Sequence, residues 1–171
     1  TVLCYGVVVQ LNGSGADTCR WSPPNLVSNS NICNPTTIVL QDTNFVLTVI
    51  DTFGCFGVDT LNVLAGRVFA DFTLPVTSCQ EDSVCVTDAS TVVNGIIVDW
   101  QYDFENFGSV SGQNVCYLYS APGSYNILQT VTDNHGCIDT AQKPIIIFPQ
   151  PMAAFSLNDT VICSDQTICI T

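Results

Sequence analysis

Apolar and polar positions alternate in short runs along the whole chain. In residues 83–88, Val84 and Val86 share one face and Cys85 takes the other. Residues 96–104 put Val98, Trp100, Tyr102 and Phe104 on one side, and residues 114–119 do the same with Val115, Tyr117 and Tyr119. Residues 45–51, 70–74 and 124–133 alternate too, and further apolar runs fall at 7–13, 19–21, 36–40, 56–64 and 137–148. Period two is the signature of half-buried strands, and no stretch holds a helical period over ten residues. Short strands roughly every eight to twelve residues, with turn residues between them, predict β-sandwiches. Gln129 breaks the pattern: it takes an inward position while Leu128 faces out, which allows a β-bulge there.

The pattern also repeats. D-x-x-G-C occurs at residues 51–55 and again at 133–137. AAFSL at 153–157 matches ADFTL at 70–74, and CSDQTICIT at 163–171 matches CQEDSVCVT at 79–87, with Cys163 over Cys79 and Cys169 over Cys85. Such self-similarity marks an array of modules. The expected organisation is a first sandwich at 1–66 lacking its first strand, a second at 67–151, and the first strands of a third, truncated module at 152–171. The joints, LAGR and FPQPM, are short, and one holds prolines, which predicts a semi-rigid rod.

Ten cysteines form the expected framework. Four fall in each full unit, which allows three pairings apiece. Cys85 and Cys116 both point outward on strands that neighbour each other in such a sandwich, so they are expected to bond. That leaves Cys79 with Cys137. By the repeat, Cys4 pairs with Cys55, which leaves Cys19 with Cys33. Cys163 and Cys169 are expected to find partners beyond Thr171. Each closed loop stabilises by about 2–4 kcal/mol. Zinc is the rival use of cysteine, but C-x2-C spacing is absent and His135 is the one histidine.

Composition narrows the partners. A net charge of -12, with Arg20, Arg67 and Lys143 as the cations, disfavours nucleic acid and anionic lipid. No apolar run reaches the roughly 18 residues of a membrane helix. Cysteine at this density suits an oxidising, extracellular compartment. Only 11% of residues are charged and 47% are apolar. Residues 7–9, 38–40 and 145–147, and Val46 with Ile50, are apolar on both strand faces. Two readings stand: scattered exposed β-branched residues, or lateral packing against neighbouring modules.

Candidate chemistry is sparse. His135 sits in a turn with no nucleophile motif near it. Asp99, Asp103 and Glu105 share an outward face, and with Asp133 they are the candidate calcium ligands, since oxygen donors suit that ion. No other cofactor is expected. Trp21 and Trp100 are expected in the core. Asn12 and Asn158 begin N-glycosylation sequons.

At these residues the chain resembles a known family. Tyr102-Asp103-Phe104, Tyr117-Leu118-Tyr119, Gly123 to Ile127 and Asp133 to Cys137 resemble the strands and turn of polycystic-kidney-disease (PKD) type sandwiches. The usual G-D-G after the Phe is replaced by Glu105-Asn106-Phe107, with Gly108 following. The first unit resembles neighbouring Ig-like modules in Cys4 to Leu11, Trp21-Ser22-Pro23, Leu26 to Asn29, Asn34-Pro35 and Asp51 to Cys55. The combination is similar to long secreted surface proteins of Bacteroidota, including gliding-motility adhesins. That resemblance implies tandem all-β sandwiches, and O-glycosylation at Thr60, Ser83, Thr140 and Thr160. It also implies a non-enzymatic structural or adhesive repeat segment of a cell-surface protein or filament. Its partners would be further repeats, a laterally packed assembly and surface glycans. The alternative is an accessory binding module of a secreted hydrolase. A third reading has the strand at 153–157 completing the first domain of another subunit.

Overall fold

The computed structural model describes residues 1–105 and 108–156. They form an all-β structure whose only helical element is a short 3-10 turn at Pro24–Leu26. The N-terminal part holds β1 (Val2–Cys4), β2 (Val8–Gln10), β3 (Thr18–Ser22), β4 (Thr36–Ile38), β5 (Thr43–Ile50) and β6 (Phe56–Phe69). The remainder holds β7 (Phe72–Thr73), β8 (Thr77–Cys79), β9 (Ser83–Asp88), β10 (Thr91–Val93) and β11 (Ile97–Asp103). It continues with β12 (Ser109–Ser111), β13 (Asn114–Leu118), β14 (Gly123–Asp133) and β15 (Ile138–Phe148).

β3, β5 and β6 form an antiparallel sheet, and β2 pairs with β4 opposite it. Between them lie Leu11, Trp21, Val39, Phe45, Leu47 and Val63. The second core is larger and aromatic. One layer is β12-β11-β14-β15 with β8 at its edge; the other is β13-β9-β7. Phe72, Val84, Val86, Tyr102, Phe104, Tyr119, Ile127, Ile145 and Ile147 are buried between the layers. Offset rings stack there, Phe104 on Tyr117 at 4.8 Å and Tyr119 on Tyr125 at 4.4 Å.

Two short strands escape any periodic signal. β1 runs parallel to β6, with Cys4 opposite Gly66. β8 runs parallel to β15, with Cys79 opposite Phe148. β6 itself crosses the expected LAGR joint without a break. Residues 56–63 pair with β5, residues 64–66 with β1, and residues 67–69 with β10.

Gln129 corrects the expected bulge. β14 holds unbroken register with β15 from Gly123 to Thr132. Gln129 is buried and satisfied. Its Nε2 donates to Asp88 Oδ1 and to Tyr102 Oη, both at 2.9 Å, and Ser90 Oγ donates to its Oε1 at 3.3 Å. The register shift lies instead between Ile97 and Asp99, on β11. It turns Val98 out to solvent, against the expectation that Val98 faces inward with Trp100. Burial raises the Asp88 pKa, but hydrogen bonds from Ser90 and Gln129 outweigh it, so the carboxyl titrates below its ordinary value of 3.8.

Ile127→Ala should cost about 2–5 kcal/mol through the cavity it leaves, whereas exposed Ile38→Ala should stay within about 0.5 kcal/mol. Urea denaturation measures both. Gln129→Leu should cost about 1–3 kcal/mol by stranding its partners. Because the folded Asp88 pKa is depressed, its contribution is present above 3.8 and lost as pH falls below that value. The acid limb of the stability curve should therefore be shallower in Gln129→Leu than in the parent chain.

Candidate functional site at a disulfide-stapled junction

The D-x-x-G-C turn is built by its aspartate. In residues 133–137, Asp133 Oδ1 accepts the N–H groups of His135 and Cys137, both at 2.8 Å. Asp51 Oδ1 accepts those of Phe53 and Cys55 at the same distances. Gly54 and Gly136 sit at φ 83° and 82°, the left-handed region that glycine enters without a Cβ penalty. Each turn thus presents its cysteine at the start of the strand that follows, β6 or β15.

Three disulfides form among the described residues. Cys19 bonds to Cys33, and Cys85 to Cys116 across neighbouring β9 and β13. The third corrects two expected pairs. Cys4 bonds to Cys137, with Cα atoms 5.3 Å apart, and Cys55 and Cys79 are free and exposed. Strand length is the reason. Cys4 lies beside Gly66, near the far end of β6, while Cys55 precedes the first residue of β6. At about 3.3 Å per residue that separates them by roughly 35 Å. Cys79 beside Phe148 and Cys137 before Ile138 stand in the same relation on β15. A disulfide needs Cα atoms within about 7 Å, so neither expected pair can close.

The Cys4–Cys137 bond joins the two parts of the fold. Around it Val68 and Val131 are buried, with Ala70, Val92, Ile97 and Trp100 packed against them. Gly66 leaves room for β1, since a Cβ there would lie 2.9 Å from Val2 Cγ1. Arg67 sits over the rings of Tyr5 and Phe69 at 4.4 and 4.5 Å. Asn94 Nδ2 donates to Asp42 Oδ1 at 2.9 Å and to the Ala65 carbonyl at 3.1 Å. Asp139 Oδ2 accepts the Ala70 N–H at 2.8 Å. An open groove of about 190 Å³ runs along the junction between Tyr5, Arg67 and Asp139.

The candidate calcium ligands do not converge. Asp99 and Asp103 are exposed. Asp103 Oδ1 accepts the Glu105 N–H at 2.9 Å, and Glu105 Oε2 accepts that of Asn126 at 2.6 Å. Asp133 is buried at the other end of β14, its Oδ2 3.9 Å from His135 Nδ1. Among the described residues, no cluster of three acidic, His or Cys side chains could hold a metal ion. Trp21 is buried and donates to the Cys33 carbonyl at 3.3 Å, and Trp100 is half-buried at the junction. Asn12, Thr60, Ser83 and Thr140 are exposed. Asn158, Thr160, Cys163 and Cys169 lie outside the described residues.

What sequence reasoning missed was the junction. Tyr5 meets Arg67 and Asp42 meets Asn94 from distant parts of the sequence, and only the unusual rarity of cations in the chain marked Arg67 as notable.

The model of the PKD domain family matches residues 69–147. No curated protein matches the chain. Among solved structures, the chain is similar to the PKD1 domain of Vibrio anguillarum Epp, with 25% identity and a TM-score of 0.45 over 49% of this chain and 96% of that one. It is also similar to the PKD1 domain of the Vibrio cholerae metalloprotease PrtV, with 33% identity and a TM-score of 0.42 over 46% and 94%. A carbohydrate-binding module of the β-sandwich superfamily shares 23% identity, with a TM-score of 0.49 over 54% and 38%. With the family match falling on the aromatic core and the strands that build it, residues 69–147 form a PKD-type domain.

Proposed function

We propose that this chain is a non-enzymatic, load-bearing repeat segment of a long extracellular surface protein or filament. The observation that carries the reading is the Cys4–Cys137 disulfide. It spans the junction in parallel with the continuous strand β6, so tension across the two parts need not pass through hydrogen bonds alone. Three disulfides among the described residues fit an oxidising, extracellular location.

Adhesion or lateral packing is supported by the outward apolar residues. Phe53 is 90% exposed and Phe56 74%, and Val58, Val8, Ile38 and Ile138 are exposed with them. Val8 and Ile38 lie directly opposite each other across β2 and β4, so outward apolar side chains adjoin there. Glycans at Asn12, Thr60, Ser83 and Thr140 fit the exposure of those residues. The accessory-module reading is weaker here, because Tyr117, Tyr119 and Tyr125 stack inward rather than forming a flat strip.

Antibodies raised against the chain, applied to intact source cells, should label surface filaments in electron microscopy. Immunoblots should show a species far larger than 18.4 kDa. A freely secreted monomer of that mass would sink the proposal.

A further inference from the structure

We propose that Cys55 and Cys79 are the two open halves of further inter-module disulfides of the Cys4–Cys137 kind. Cys79 takes the turn cysteine of a module that follows, and Cys55 takes the strand cysteine of one that precedes. A second copy of this chain presents the same two cysteines as those neighbouring modules, so Cys79 of one copy can bond Cys55 of another. The inference rests on the repeat reading above and adds the chemistry of its joints.

The bonded and the free cysteines match hydrogen bond by hydrogen bond. Cys4 and Cys79 each end a three-residue strand parallel to the last strand of a sheet. The next residue donates back to that strand in both, Tyr5 N to Gly66 O at 2.7 Å and Gln80 N to Phe148 O at 2.8 Å. Gly6 and Glu81 follow with positive φ, 81° and 66°. Their N–H groups bond to Val39 O and Tyr119 O, and the turn closes with Val7 N to Cys4 O and Asp82 N to Cys79 O. The other half matches as closely. Asp51 N donates to Cys55 O and Asp133 N to Cys137 O, each at 3.0 Å. Gly54 N donates to Asp51 O and Gly136 N to Asp133 O, each at 3.1 Å. One strand-type and one turn-type cysteine are thus already bonded in this chain, and their structural twins are exposed thiols.

One position differs. Where Gly66 stands beside Cys4, Phe148 stands beside Cys79, half exposed. A module seating there packs against that ring instead of against bare backbone.

The step is an oxidation. Two thiols lose two protons and two electrons as the S–S bond forms, and a disulfide oxidant such as oxidised glutathione accepts them and leaves as two reduced thiols.

The test uses the full chain with Cys163→Ser and Cys169→Ser, so that Cys55 and Cys79 are its only free thiols. One partner additionally carries Cys55→Ser and the other Cys79→Ser. Each is incubated with a glutathione redox couple, alone and mixed in equal amounts. Non-reducing gels and mass mapping then read the linkage. The mixture should give a Cys55–Cys79 heterodimer at least about tenfold above either homodimer, with Cys4–Cys137 intact. Homodimers in equal yield, or monomers capped by glutathione, would overturn the proposal. Those outcomes leave surface labelling by the antibodies untouched, so the staple can fail while the structural-segment reading stands.

Discussion

The reach of a β-strand fixes how this chain is held together. A cysteine at the start of a fourteen-residue strand and one beside its far end cannot meet. The D-x-x-G-C turn and the short parallel strand therefore hold their thiols near opposite ends of one strand. The bond that forms, Cys4 to Cys137, joins the two parts of the fold. β6 completes the geometry by running on past β1 into the next set of strands, which delivers Cys4 to Cys137. A loop of that length would stabilise by about 5 kcal/mol in a chain-entropy account. Its mechanical consequence is the larger one, because a covalent link bypasses the joint.

Electrostatics serve the same end. With so few cations, placement matters. Arg67 is sandwiched on Tyr5 and Phe69 at the junction. Lys143 on β15 reaches Asp71 Oδ1 at 2.6 Å and the Phe72 carbonyl, tying one sheet to the start of the other. The hydrogen bond from Lys143 holds the Asp71 carboxyl below its usual range. Both cations spend their charge where separate layers must stay in contact.

Much of this was legible in the sequence. Alternation at Val84 and Val86, and at Val115 and Tyr117, put Cys85 and Cys116 on one outward face, where they bond. The paired aspartate–glycine–cysteine turns could be read directly, since one carboxylate and one left-handed glycine define each. Three features could not be read. Strands of three residues such as β1 and β8 are too short to carry a period. Ala65-Gly66-Arg67 has the composition of a linker, yet it is mid-strand because β1 and β10 pair with it from either side of the composition break. The bulge on β11 hides among Ile96, Ile97 and Val98, where every residue is apolar and register leaves no trace. Gln129 did signal an anomaly, but its cause was a buried polar cluster with Asp88 and Tyr102 rather than an irregular backbone.

Single-molecule stretching between the chain termini tests the staple most directly. In the oxidised chain, the residues separating Cys4 from Cys137, 133 in sequence, are shielded from the load. Reduction should therefore lengthen the fully extended chain by roughly 450 Å, at about 3.3–3.6 Å per residue. Equal lengths before and after reduction would contradict the Cys4–Cys137 disulfide.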